Sequence, residues 1–260
     1  MCGVTAVPPT PDPPPKPPNN LVGAGVLVLW LVLGWLAQTQ GSGPVIFGFV
    51  LVGWILTVMA HEFSHAGVAW LAGDHTVAAK GYLSFDPRRY GDLGTSLVIP
   101  LLALALGGVG FPGGAVYLRN DLMRSRAWRA AASLAGPAAT LALLLILALA
   151  LHIWEGQGAR GMLFPALTVL AFLQAMALIL NLLPIPGLDG FNAIRPFLPR
   201  AWGPAIRKAE GLVMLALLAL IFIVPGASGL LFGWAAALGR SVGLDMDALR
   251  IGWQAFHFWR

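Results

Sequence analysis

Six apolar runs, at about 21–37, 44–72, 94–110, 127–153, 162–185 and 211–238, alternate with short polar stretches along the 260-residue chain. The run at 44–72 is long enough to cross a hydrocarbon core of about 30 Å as a helix. Residues 38–43 separate the first two, which predicts a tight helical hairpin. The polar stretch 73–93 contains Gly81-Tyr82-Leu83-Ser84-Phe85, whose alternation predicts a short strand. Residues 111–118, FPGGAVYL, begin as a Gly/Pro turn and end in the β-favouring Ala115, Val116, Tyr117 and Leu118. The last run is interrupted at Pro225-Gly226, predicting either one kinked span or two half-helices. The expected fold is an all-α polytopic membrane protein of about five to six apolar helices, with a re-entrant segment and a short β element near the cytoplasmic face. It occupies 21–240, between a disordered Pro-rich tail at 1–20 and a C-terminal tail at 241–260.

Composition agrees with the pattern. The chain is 58% hydrophobic and 10% charged, with a mean hydropathy of +0.78, whereas soluble proteins carry about 25% charged residues. The net charge of +5 calls for no nucleic-acid partner; in a membrane protein, basic residues report which loops stay in the cytoplasm. The single cysteine, Cys2, excludes an intramolecular disulfide and a buried cysteine ligand. The tail carries PPTPDPPPKPP, which favours extended polyproline and packs no core.

Within the second run stands His61-Glu62-Phe63-Ser64-His65. Two imidazoles and a carboxylate in hydrocarbon cost several kcal/mol. On a helix, residues i and i+4 share a face, so His61 and His65 present two nitrogens to one metal ion. Glu62 lies beside that face, placed to take a proton from a water. The alternative is a pair of core histidines bonded to backbone or to each other, but lipid offers few such partners.

A catalytic zinc takes three protein ligands and keeps one position open. His75, in a polar loop past the helix, and His152 and His257, at a helix end and in the C-terminal tail, are expected to be exposed or interfacial. Asp189 is the better candidate. It follows a long apolar run broken by Pro184, Pro186 and Gly187, and broken backbone at membrane depth is tolerated where it lines a water-containing cavity. Asn181, another polar group in an apolar segment, is placed to hold a substrate carbonyl or brace the site; a helix–helix hydrogen bond is the equal alternative.

HEFSH at 61–65, NLLPIPGLDG at 181–190 and SLAGPAAT at 133–140 together resemble the site-2 protease family of intramembrane zinc metalloproteases, over roughly residues 44–200. The resemblance implies His61, His65 and Asp189 as ligands of one zinc per chain and Glu62 as catalytic base. Thr140 stands where many members carry Asn. The chain resembles the small members without PDZ or CBS domains.

Motifs that share a metal must end at one membrane depth. His65 and Asp189 both lie near the C-terminal ends of their runs, so a full span at 94–110 would put them on opposite sides. Counted that way, the sixteen Lys and Arg also divide evenly. With 94–110 re-entrant, Lys16, Lys80, Arg88, Arg89, the four arginines of 119–129 and the four basic residues of 195–208 share the motif side. Only Arg160 is then opposite, and the three C-terminal arginines are undecided. The positive-inside rule puts the motif side in the cytoplasm.

The expected activity is hydrolysis of peptide bonds in or near transmembrane segments of membrane-protein substrates, at the plasma or inner membrane. A helical substrate must be extended before attack. An edge at Gly114, Ala115, Val116, Tyr117 and Leu118, or one at 81–85, would pair with it; alternatively, 111–118 is only a returning loop. The rival function is a metal transporter or a catalytically inactive zinc-binding scaffold. The N-terminal halves of 44–60 and 162–180, almost wholly apolar except for Gln174, give transport no polar path. Neither substrate identity nor oligomeric state is legible.

Overall fold

The computed structural model describes residues 20–90, 104, 116–156, 161–224 and 226–260. The first two apolar runs form the helices α1 (Leu21–Thr39) and α2 (Gly43–Ala72). Pro44 opens α2, where the missing N–H costs nothing. Gly73, at φ +114°, closes it in the left-handed region with its N–H on the carbonyls of Ala69 and Trp70. Thirty residues make a rod of about 45 Å. Its last turns therefore pass beyond a hydrocarbon core of about 30 Å if its start lies at the boundary.

After α3 (Thr76–Ala79), residues 81–85 form turns instead of the expected strand. The Tyr82 N–H donates to Val77 O at 2.9 Å, the Ser84 hydroxyl to Gly81 O at 2.6 Å, and the Tyr90 hydroxyl to Ser84 O at 2.5 Å. These local bonds use the polar groups that a strand would offer a neighbour. Among the described residues there is no strand. The expected re-entrant run at 94–110, apart from Leu104, and the Gly114–Ala115 pair lie outside the described residues, as does nearly all of the Pro-rich tail.

The remaining helices are α4 (Arg126–Glu155), α5 (Leu163–Leu182), α6 (Asp189–Ile194), α7 (Gly203–Ile223), α8 (Ala227–Ser241) and α9 (Met246–Phe256). Helices α1, α2, α4 and α5 are long and apolar enough to span a membrane; α7 and α8, bent by 88° at the Pro225-Gly226 break, make a fifth span if taken together. Leu29 and Leu31 of α1 and Leu145 and Leu149 of α4 stay exposed, the outward apolar surface of a multi-pass membrane protein.

The most enclosed helix is α5. Val169, Leu173 and Ala177 pack with Ile46, Val50 and Trp54 of α2. Its other side, with Phe172 and Met176, packs with Leu144 of α4, Leu231 of α8 and Ala248 of α9. Residues 241–260 are thus no loose tail: Phe256 is fully buried, Trp253 stacks edge-on against Phe172 at 5.8 Å, and His257, expected at the surface, is buried with them. Asp245 caps α9, accepting from the N–H groups of Asp247 and Ala248.

One end of the bundle gathers the loops that build the site. Phe85 N–H donates to Asn20 Oδ1 at 3.3 Å, Arg124 N–H to Ala72 O at 3.0 Å, and Arg119 N–H to Asp74 Oδ2 at 2.7 Å. The chain therefore leaves the described part at Tyr90 and re-enters it at Val116 at the same end of the bundle. At the other end, Gly41 lies against Met162 and Gly43 against Phe258.

Candidate metal centre

His61 and His65, one turn apart on α2, turn the same ring nitrogen inward: Nε2 to Nε2 is 3.0 Å. Asp189 Oδ2 completes a triangle at 3.1 Å from His61 Nε2 and 3.3 Å from His65 Nε2. Asp189 reaches the histidines because Pro184 and Pro186 end the helical run after Leu182 and the chain doubles back. Turn bonds from Ile185 N–H to Leu183 O and from Leu188 N–H to Ile185 O hold that reversal. Among the described residues this is the one group of three His, Cys, Asp or Glu side chains able to hold a metal ion.

The other ring nitrogens decide what those three atoms are. His65 Nδ1 faces the carbonyl of Ala132 at 2.7 Å; a carbonyl only accepts, so Nδ1 carries the proton and Nε2 the lone pair. His61 Nδ1 lies 2.9 Å from Thr140 Oγ1, a hydroxyl able to accept from it and so to support the same tautomer. With neutral rings, three acceptors converge within 3.3 Å, an arrangement that a metal ion between them would stabilise. Ligands of a tetrahedral zinc, at about 2.0–2.1 Å from the ion, stand about 3.3 Å from one another, and the observed edges match that size. An aspartate that meets a metal ion does so as the ionised carboxylate.

Helix α4 supplies the support. Ala132, Gly136 and Thr140, four residues apart, lie on one face of it, against the histidines. Gly136 is there because nothing larger fits: a Cβ on it would collide with Nε2 of both His65 and His61. Pro137 inside α4 has no N–H, so the helix is locally looser beside the Ala132 carbonyl that His65 uses. The Ala132 carbonyl is the supporting group that motif reading passed over, and Thr140 stood out there only as a departure from the family pattern. Ala132, Gly136 and Thr140 stand at helical spacing in the sequence, but in a stretch where nearly every residue is small, so nothing set them apart.

Glu62 is 3% exposed and accepts a hydrogen bond from the Val116 N–H at 3.2 Å. With His65 and Asp189 it borders an open cavity of about 680 Å³, whose wall also includes Val116, Tyr117 and Leu118. The Lys80 ammonium anchors the Tyr117 carbonyl at 2.6 Å, so this segment is tied to the loop after α2. Asn181 is buried but borders a different space, a recess of about 20 Å³ behind His61 shared with Thr57, Thr140 and Gln174. His75 and His152 are exposed and His257 lies in the aromatic cluster of the C-terminal helix; none approaches the triangle.

The chain is 39% identical over 240 residues to a Mycobacterium tuberculosis protein named "Putative zinc metalloprotease Rip2", the match covering 92% of this chain and 91% of that one. It is 38% identical over 244 residues to the protein of that name in Mycolicibacterium smegmatis, covering 92% and 90%. With the Bacillus subtilis "Putative zinc metalloprotease YwhC" it shares 26% identity over 191 residues, 71% of this chain and 84% of that one. No protein-family model and no solved structure matches. A triangle built to the size of a zinc site and relatives of this similarity along nearly the whole chain lead to one conclusion: zinc is its metal, and the chain belongs to the site-2 protease family of zinc metalloproteases.

Proposed function

We propose that the protein is an intramembrane endopeptidase in which His61, His65 and Asp189 hold one zinc and Glu62 is the general base, its cavity opening to the cytoplasm. The observation that carries this reading is a buried, non-ligating carboxylate bordering the same cavity as two of the three ligands. When bound, zinc supplies Lewis acidity, bringing the pKa of a water from 15.7 to near 7 and polarising a carbonyl. Glu62 accepts the proton of the attacking water and returns it to the amide nitrogen that leaves. The Val116 N–H keeps its Oε2 turned toward the cavity, while Thr140 and the Ala132 carbonyl hold the imidazoles in the ligating tautomer. Asn181, behind His61, fits a bracing role better than contact with a substrate carbonyl.

A substrate helix must be unwound to expose its carbonyl, and 114–118 is the proposed edge on which the extended chain pairs. Val116 N–H is already engaged by Glu62, so proline at 116 would disturb the base together with the edge. Leu118→Pro is the cleaner change for testing the edge.

Incubated with single-span membrane proteins, the purified full-length chain is expected to cut within or beside the span, to stop when a chelator strips the metal, and to resume on adding zinc. Chelator-resistant cleavage, or none across a broad panel, would remove the protease reading. The loops gathered at one end support a shared side for these stretches, and the positive-inside rule supports the cytoplasm as that side. In a Cys2→Ser background, single cysteines at Arg88, Arg124 and Arg207 are expected to react with an impermeant maleimide only from the cytoplasmic side. Labelling of Arg88 and Arg124 positions from opposite faces would refute the re-entrant reading of 94–110.

A further inference from the structure

The cavity that opens onto Glu62 and Asp189 is also lined by Arg126 and Arg129 from the first turn of α4, by Arg195 after α6, and by Arg200 and Arg207 at the start of α7. Its carboxylates leave four of these five without an ion pair. Glu210 is taken by Arg195 at 2.6 Å, Asp189 faces the imidazoles, and Glu62 accepts from Val116. Asp121, outside the wall, is bonded to Arg119 through both oxygens. Among the described residues, Arg126, Arg129, Arg200 and Arg207 have no carboxylate within ion-pair distance, and Arg129 Nε is buried without any hydrogen-bond partner.

With five guanidinium groups against the carboxylates of Glu62, Asp189 and Glu210, the wall is net positive, and a concave surface focuses such a field into the space it encloses. A substrate span that delivers its carbonyl to Glu62 must pass the residues flanking that span through this field. Most cytoplasmic flanks carry Lys and Arg, which these four guanidinium groups, none of them in an ion pair, repel. Resting on the protease reading above, we infer that Arg126, Arg129, Arg200 and Arg207 select substrates whose flank next to the scissile segment is acidic. Asp and Glu side chains of that flank pair with the guanidinium groups, which suit bidentate carboxylate binding.

The test uses three model substrates with one apolar span, broken by Gly-Pro near its end, followed by three Glu, three Gln or three Lys. Zinc-loaded, full-length protein is assayed in neutral detergent. Cleavage is expected to fall roughly tenfold from the Glu to the Gln flank and again to the Lys flank at low salt, with the ratios shrinking toward one near 0.5 M salt. In the triple variant Arg126→Gln, Arg200→Gln, Arg207→Gln, the Glu-to-Lys ratio is expected to approach one while zinc content is kept. The flank series on the parent needs no variant and stands if the triple change misfolds. Equal cleavage of all three flanks, or a ratio unmoved by the triple variant, overturns the inference while leaving the protease intact. So does a preference that appears only in vesicles of anionic lipid, which would make headgroup phosphates the ligands of these arginines. If the parent cuts none of the three, the protease reading fails and takes this inference with it.

Discussion

Glu62→Gln is expected to keep about one zinc per chain and to lose cleavage by about 10³-fold or more, the upper range of what a positioned general base contributes. The amide has the shape of the carboxylate, and its oxygen still accepts the Val116 N–H that holds Glu62 in place. The ligand triangle does not include residue 62, so the metal has no reason to leave. What disappears is the proton acceptor. Metal analysis beside turnover of a single-span substrate separates the two roles. Cleavage above about a tenth of the parent rate would mean that another group carries the proton, and zinc loss in this variant would place Glu62 among the ligands.

Gly136→Ala is expected to disrupt the metal site with a single methyl. The added Cβ would occupy space held by Nε2 of both histidines, the two atoms that the metal needs. Either α4 moves away, breaking the contacts from Thr140 to His61 and from Ala132 to His65, or the rings turn and the triangle opens. Loss of such supporting contacts alone typically costs 10–100-fold in metal affinity, and displaced ligands cost more. Gly67→Ala is the matched control: it lies on α2 two residues past His65, with nothing within 4 Å of an added Cβ. There, the better helix propensity of alanine should stabilise slightly and zinc should stay. Dialysis against graded chelator, followed by metal analysis, compares the two; full zinc retention in Gly136→Ala would contradict the packing described around the histidines.

Depth and chemistry were legible along the chain, direction less so. Apolar runs gave the spanning helices, the i, i+4 histidines gave the two nitrogens, and Asp189 stood out as an acid after a broken helix. Basic-residue counting placed 73–90 and 119–130 on one side, and the bonds from Arg124 to Ala72 and from Arg119 to Asp74 join these stretches. Counting could not tell a basic residue that merely marks a side from one that turns inward, so Arg126 and Arg207 read as topological markers until the cavity was seen. Alternation at 81–85 suggested a strand because periodicity ignores the side-chain bonds of Ser84 and Tyr90, which close turns there. The C-terminal helix was missed because eleven residues are too few to stand out by length, although Ala248, Gly252 and Phe256 repeat at helical spacing toward the core.

The enclosure of α5 also bears on how the chain is made. During synthesis α5 enters the bilayer after α2 and α4 but before α8 and α9, which come later in the sequence. Gln174, its costly polar side chain at mid-helix, donates to Thr57 of α2 at 3.0 Å, a partner already in the membrane when α5 arrives. The side that has to wait, with Ala171, Phe172 and Met176, is apolar and is later covered by Leu231 and Ala235 of α8 and Ala248 of α9. Lipid is an acceptable temporary neighbour for that surface, but not for a primary amide. The two faces of one helix are thus matched to the order in which the ribosome delivers their partners, so that no polar group of α5 needs a helix that has yet to be translated.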